Sequence, residues 1–74
     1  MADTKSIKGT KTEKNLGMAY IAESTAVTRY TYYAQSATKE QYFHFADIFN
    51  ETAANELHHA KIFLKLLPEG TVVN

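Results

Sequence analysis

The sequence has 74 residues, with eight basic side chains balanced by eight acidic ones and no Cys. The absence of Cys excludes disulfides, zinc–thiolate sites and iron–sulfur centres from these residues, and the balanced charge gives no basic field for nucleic acid or an anionic membrane. No apolar run approaches the roughly 18 residues of a membrane span, and residues 1–5 lack a signal-peptide core, so we expect one small, soluble, cytoplasmic domain that needs a metal or a partner for stability.

The first ten residues are polar and show little periodicity, so residues 1–10 are predicted to form a flexible arm. Thr10 and Glu13 then fit a capping box, in which Thr10 is the N-cap and Glu13 stands at the third helical position. A helical hairpin is predicted to begin directly after this motif and to occupy residues 11–67.

Helix one is predicted from about Lys11 to Ala37. Its apolar residues recur at spacings of three and four, which defines one face of a helix. Glu23 lies at the centre of this otherwise apolar stripe, and a carboxylate there must be paired, hydrogen-bonded or metal-bound. The stripe consists of Leu16, Ala19, Tyr20, Glu23, Ala26, Val27, Tyr30, Tyr33, Ala34 and Ala37.

Helix two is predicted from about Lys39 to Leu67, after a second capping-box candidate with Thr38 as N-cap and Gln41 at the third position. Pro68 and Gly70 end it, which leaves residues 68–74 as a tail or the start of a crossover linker. The predicted stripe consists of Phe45, Ile48, Phe49, Thr52, Glu56, His59, Ile62, Phe63 and Leu66. A short turn makes the two helices antiparallel neighbours, so the fold class is an all-α, two-helix antiparallel hairpin.

Glu56 and His59 form a Glu-x-x-His motif on one face of helix two. Glu23 lies about 15 residues before the turn, and the motif lies about 18 to 21 residues after it, so all three side chains reach similar heights. One Glu from one helix and Glu-x-x-His from the next are half of a four-helix di-metal site, which needs four Glu and two His. Oxygen and imidazole donors without thiolate suit iron or manganese and do not exclude zinc.

Other interpretations of these residues remain open. Glu23 could pair with Arg29 or a lysine at the boundary of the core, and His59 could be a solvated neighbour of His58. The tyrosines near Tyr30 are typical of helix packing, and of these only Tyr30 is placed to hydrogen-bond a metal ligand.

Several segments resemble rubrerythrin, in order and without gaps from about residue 6 to residue 67. They are Lys8-Gly9-Thr10-Lys11-Thr12, Ala22-Glu23-Ser24, Arg29-Tyr30-Thr31-Tyr32-Tyr33-Ala34, Ile48-Phe49-Asn50-Glu51-Thr52-Ala53 and Glu56-Leu57-His58-His59-Ala60-Lys61. The resemblance covers the first helical hairpin of that family's ferritin-like four-helix domain. It implies that Glu23, Glu56 and His59 are di-iron ligands and that Tyr30 is the tyrosine beside them.

The resemblance also implies a function, which is reduction of hydrogen peroxide by a non-haem di-iron oxidoreductase of the cytoplasm. Two iron ions would occupy each complete four-helix site. The other two helices, and with them half of the ligands, would come from a second copy of this chain or from a complementary two-helix polypeptide, in which case this chain would be the front half of a longer or split protein. Electrons would come from an external rubredoxin-like donor. Ala26 stands where the family's third helix carries an additional Glu. The alternatives are a two-helix ferroxidase that stores iron and a metal-free assembly hairpin.

Overall fold

The structure, a computed structural model, describes residues 6–72 and consists of two antiparallel helices. Helix α1 spans Lys11–Lys39, helix α2 spans Phe43–Leu66, and a short 3-10 turn spans Pro68–Gly70. No strand is formed between residues 6 and 72, so the prediction of an all-α hairpin is confirmed. No helix within these residues is long and apolar enough to cross a bilayer.

Helix α1 begins with the capping box that the sequence predicts. The Thr10 side chain accepts a hydrogen bond from the Glu13 N–H at 3.3 Å, and the Glu13 carboxylate accepts one from the Gly9 N–H at 2.7 Å. Glu13 is buried by this arrangement. Part of the predicted arm, residues 1–5, lies outside the described residues. The rest of it forms a turn in which the Thr10 N–H donates to the Ile7 carbonyl at 3.0 Å.

The prediction of a second capping box at Thr38 is wrong. Helix α1 continues through Thr38, and α2 begins only at Phe43, where Tyr42 makes no side-chain capping bond. The Tyr42 N–H bonds to the Ala37 carbonyl at 2.8 Å and the Gln41 N–H to the Thr38 carbonyl at 3.0 Å. These two bonds form a Schellman motif, which ends α1. Thr38 is a helical residue within this motif, so it cannot also be the extended N-cap residue of α2.

The Schellman motif puts Gln41 in the left-handed region, with φ of 68°. A side chain in this conformation costs roughly 1 kcal/mol relative to Gly. We therefore expect Gln41→Gly to raise the free energy of unfolding by about 1 kcal/mol, as measured by urea titration with circular dichroism. Gln41→Ala is the control, because it removes the same amide without relieving the backbone. Equal stability of the two variants would contradict this account of the turn.

The seam between the helices is lined by small side chains. On α2 the buried residues recur every seven positions, and on α1 the buried apolar residues are again alanines. Small side chains at these positions allow the helix backbones to approach closely. The buried apolar residues are Ala26, Ala34, Ala37, Ala46, Ala53, Ala60 and Leu67.

The apolar stripe predicted for α2 is a different face of the helix from this seam. The stripe lies beside the seam, and several of its large apolar side chains are exposed, including Phe45 and Leu66 at 57% each. We call this surface the open face. It consists of Glu23, Tyr30 and Tyr33 of α1 with Phe45, Phe49, Glu56, His59, Ile62 and Leu66 of α2.

The tail folds back toward α1. After the turn at Pro68–Gly70, the Val72 side chain lies 3.4 Å from the position that a Cβ would take on Gly17. The predicted tail therefore begins with a short ordered element, and its last two residues, 73–74, lie outside the described part of the chain.

Candidate metal centre

Glu23, Glu56 and His59 meet on the open face near the middle of both helices. Each offers one possible ligand atom, and these three atoms lie within 4.8 Å of one another. His59 Nδ1 is 3.4 Å from Glu56 Oε1 and 3.9 Å from Glu23 Oε2. The convergence follows from the spacing of three residues between Glu56 and His59 on α2 and from the antiparallel pairing with α1. Elsewhere in residues 6–72, no other three acidic, His or Cys side chains come this close.

The two carboxylates are partly withdrawn from water, whereas the imidazole is accessible. The side chains of Glu23 and Glu56 are each 25% exposed and that of His59 is 52% exposed. Glu23 Oε2 is buried and has no hydrogen-bond partner within the described chain. A buried carboxylate oxygen without a partner is unfavourable unless a proton or a cation binds it. A bound metal ion or a proton would therefore satisfy this oxygen.

Burial raises the pKa of Glu23 above its ordinary value of 4.5, and the neighbouring Glu56 carboxyl raises this pKa further, against a smaller opposing effect of His59. The raised pKa means that the folded metal-free chain holds a proton on Glu23 at a pH where the unfolded chain has lost it. The same proton competes with any cation for the site.

We expect the metal-free chain to gain stability as the pH falls from neutral through the raised pKa, and to gain nothing more from Glu23 below about pH 4.5, where both states are protonated. Glu23→Gln has no such titration and is the reference. Urea unfolding in the presence of a chelator, at fixed protein concentration and at several pH values, measures the difference in the free energy of unfolding between the two chains. Parallel pH dependences for both chains would contradict the prediction.

The other interpretations of these residues can be compared with the observed contacts. Arg29 lies over the Tyr30 ring, 5.5 Å from its centroid, and no ion pair between Arg29 and Glu23 occurs within the described residues. The His58 and His59 rings are neighbours, with centroids 6.3 Å apart, yet His59 directs Nδ1 toward the carboxylates. The pairing of Glu23 with Arg29 is therefore not formed.

Tyr30 belongs to an aromatic cluster at the turn side of the site. Its ring stacks on that of Phe49, with ring centroids 6.1 Å apart, and meets the Tyr33 ring edge-on, with centroids 5.8 Å apart. The Tyr33 and Phe49 rings also meet edge-on, with centroids 5.5 Å apart. Among residues 6–72, the Tyr30 hydroxyl makes no hydrogen bond to Glu23 or Glu56. Its role beside the ligands stays a prediction.

The sequence profile of the rubrerythrin family matches residues 14–72, which include all three candidate ligands. The chain belongs to the rubrerythrin family. It is 54% identical over 66 residues to rubrerythrin-1 of Clostridium acetobutylicum, covering 89% of this chain and 34% of that protein. It is 53% identical over 66 residues to a rubrerythrin of Porphyromonas gingivalis, covering 89% of this chain and 33% of that protein.

A rubrerythrin of Nitratidesulfovibrio vulgaris is 46% identical over 66 residues, again 89% of this chain and 35% of the relative. The chain thus spans about a third of the length of these curated rubrerythrins. No solved structure matched it. Rubrerythrins are ferritin-like di-iron proteins, so membership in the family makes iron the first candidate for the Glu23, Glu56 and His59 group.

Proposed function

We propose that this hairpin supplies one half of a non-haem di-iron centre that reduces hydrogen peroxide, as an oxidoreductase of the rubrerythrin type. The observation that carries the proposal is the buried, unpartnered Glu23 Oε2 lying 3.9 Å from His59 Nδ1, within a Glu, Glu and His group. The second half, with another two Glu and one His, would come from a second copy of the chain or from a complementary two-helix polypeptide.

The side chains of the hairpin have distinct tasks under this proposal. Glu23 and Glu56 provide anionic oxygens from opposite helices, and His59 provides a neutral nitrogen. The alanine seam fixes the distance between α1 and α2, and therefore the separation of the two carboxylates. The aromatic cluster of Tyr30, Tyr33 and Phe49 borders the site and, once a partner covers it, keeps water out.

When bound, the iron pair would supply the redox chemistry, passing two electrons to each peroxide. Overall, hydrogen peroxide, two electrons and two protons give two molecules of water. The electrons would come from an external rubredoxin-like protein. Tyr30, whose ring stacks on Phe49 in the single chain, is proposed to orient a ligand carboxylate through its hydroxyl after assembly.

Anaerobic titration of the full chain with ferrous iron tests the proposal. We expect about one iron per chain, followed by consumption of one peroxide for every two electrons supplied by a reduced rubredoxin. His59→Ala should lose both properties, and His58→Ala, its exposed neighbour, should keep them. Binding of far less than one iron per chain, or equal iron binding by the two His variants, would refute the proposal.

One observation favours a second candidate, iron storage by a ferroxidase. Ala26, one turn after Glu23, is buried and stands where the resemblance places an additional Glu, so that position offers no further carboxylate. Comparing peroxide turnover with the amount of iron mineralised per chain in air separates the two functions. More than a few irons retained per chain, with slow peroxide turnover, would favour storage.

A further inference from the structure

We propose that Tyr30, Tyr33 and Tyr32 form a tyrosine relay that carries one-electron oxidation from the metal site to the outer surface of α1. A tyrosine in contact with water is then oxidised in place of the Glu and His side chains of the site. The relay rests on the proposed function and deepens it, because hydrogen peroxide at the site is the source of the oxidant.

The three rings of the relay form an unbroken series of neighbours. The Tyr30 and Tyr33 rings have centroids 5.8 Å apart, and the Tyr33 and Tyr32 rings have centroids 6.4 Å apart. Both distances lie in the range of paired aromatic side chains, and electron exchange between two groups is fastest when the gap between them is this small. Phe49 packs against Tyr30 and Tyr33 and holds both rings in place. The cluster therefore offers a continuous route for an electron.

The inner end of the relay lies on the same face of α1 as the metal site. Tyr30 follows Glu23 by seven residues, which is two turns or about 10 Å along the axis. Long side chains of a helix lean toward its N-terminus, so the Tyr30 ring leans toward Glu23 and shortens this gap. The Tyr30 side chain is also half-buried. It is therefore the member of the relay that receives the oxidation from the site.

The outer end of the relay is open to water on the opposite side of α1. Tyr32 follows Glu23 by nine residues, which at about 100° per residue places it half a turn around the helix from the ligand. Tyr32 is 64% exposed, and Tyr33, which lies between the two faces, is 38% exposed. A phenol that loses an electron also releases its hydroxyl proton, and water accepts this proton more readily at Tyr32 than in the half-buried surroundings of Tyr30. The oxidised state therefore settles at Tyr32.

The chemistry of the relay balances at every step. One-electron reduction of hydrogen peroxide gives hydroxide and an oxidant at the level of a hydroxyl radical, which takes one electron and one proton to become water. Tyr30 supplies both from its O–H group and becomes a phenoxyl radical. Tyr33 then restores Tyr30 by giving up one electron and one proton, and Tyr32 restores Tyr33 in the same way. A thiol reduces the Tyr32 radical, and two thiyl radicals combine to a disulfide. Without a thiol, two Tyr32 radicals join through their ring carbons as dityrosine.

A ruthenium polypyridyl complex bound to His59 of the metal-free full chain tests the relay without iron. The sequence has three His, so replacing His44 and His58 with Gln leaves His59 as the only imidazole that can bind the complex. Flash illumination with an electron acceptor then generates a ruthenium(III) oxidant at the site. Electron paramagnetic resonance detects the tyrosyl radical, and peptide mass spectrometry locates the dityrosine. Circular dichroism checks that the labelled chain and its variants keep their helix content.

We expect dityrosine that joins Tyr32 of one chain to Tyr32 of another, and Tyr32→Phe should abolish it. Tyr33→Phe should lower its yield at least about 10-fold, because Phe keeps the ring packing but is much harder to oxidise. Tyr42→Phe is the matched control and should leave the yield unchanged. Tyr42 is similarly exposed, at 57%, but its ring pairs with Phe45, and within residues 6–72 it pairs with no other tyrosine ring.

A radical that stays on Tyr30, or on Tyr20 one turn before Glu23, would overturn the relay. Equal dityrosine yields from Tyr33→Phe and Tyr42→Phe would overturn it too, and either result would leave the proposed function standing, because the labelled chain contains no iron. Conversely, dityrosine at Tyr32 that is lost in Tyr33→Phe would support the relay even if the unlabelled chain bound no iron, a result that would refute only the proposed function.

Discussion

Replacing Glu23 with Gln is expected to lower iron affinity by more than about 100-fold, because loss of a direct ligand should exceed the 10- to 100-fold effect of groups that only orient ligands. At a free iron concentration of about 100 times the dissociation constant, the unmodified chain should gain about 2.7 kcal/mol of stability. Under the same conditions the variant should gain no more than about 0.4 kcal/mol. Thermal unfolding with and without ferrous iron measures both values.

In the absence of metal, Glu23→Gln should raise the stability of the chain instead of lowering it. Gln is neutral, so the variant no longer buries the carboxylate oxygen that has no partner, and the metal-free chain should become more stable at neutral pH. The control is Glu51→Gln, which removes an exposed carboxylate of α2 and should change neither property. If Glu23→Gln stabilises the chain and leaves iron binding intact, the site is not a metal centre and the hairpin serves assembly alone.

Enlarging the seam is expected to have the largest effect on folding. Ala60 is 2% exposed and faces α1, so Ala60→Leu inserts three carbon atoms where the helix backbones are close. Overpacking of this kind costs about 1–3 kcal/mol, a large fraction of the stability available to a small domain. Because His59 is adjacent in sequence, separation of the helices should also weaken iron binding.

Ala54→Leu is the matched control for the seam, because Ala54 is exposed on the same helix and Leu is nearly as good a helix former as Ala. Urea unfolding monitored at 222 nm should show a lower transition midpoint for Ala60→Leu only. Equal midpoints for the two variants would show that the helices are not held together along the alanines.

The convergence of Glu23, Glu56 and His59 was predictable from the sequence because most of its geometry is local to each helix. Glu56 and His59 share a face by their spacing alone, and a short turn brings Glu23 to the same height. The start of α1 was predictable for a similar reason, since the Thr10 and Glu13 bonds span only a few residues. The sequence could not show what covers the open face, because a helix face that is exposed in the hairpin and one that is buried in it have the same apolar periodicity.

The start of α2 was mispredicted and the seam was not predicted at all, in both cases for physical reasons. The large apolar residues of α2, such as Phe45 and Leu66, form the more hydrophobic stripe, yet the hairpin packs through Ala46, Ala53 and Ala60, where small side chains allow close approach. A repeat of alanines every seven residues was the available signal. At the turn, Thr38 matched an N-cap pattern. Its carbonyl instead accepts a hydrogen bond from the Gln41 N–H, as part of the Schellman motif that ends α1.

The most direct test of the account is a crystal of the iron-loaded chain measured on both sides of the iron absorption edge. We expect an anomalous peak at iron that contacts a carboxylate oxygen of Glu23, a carboxylate oxygen of Glu56 and a ring nitrogen of His59 in every copy. An anomalous map with no peak between these three side chains, in crystals shown to contain iron, would contradict it.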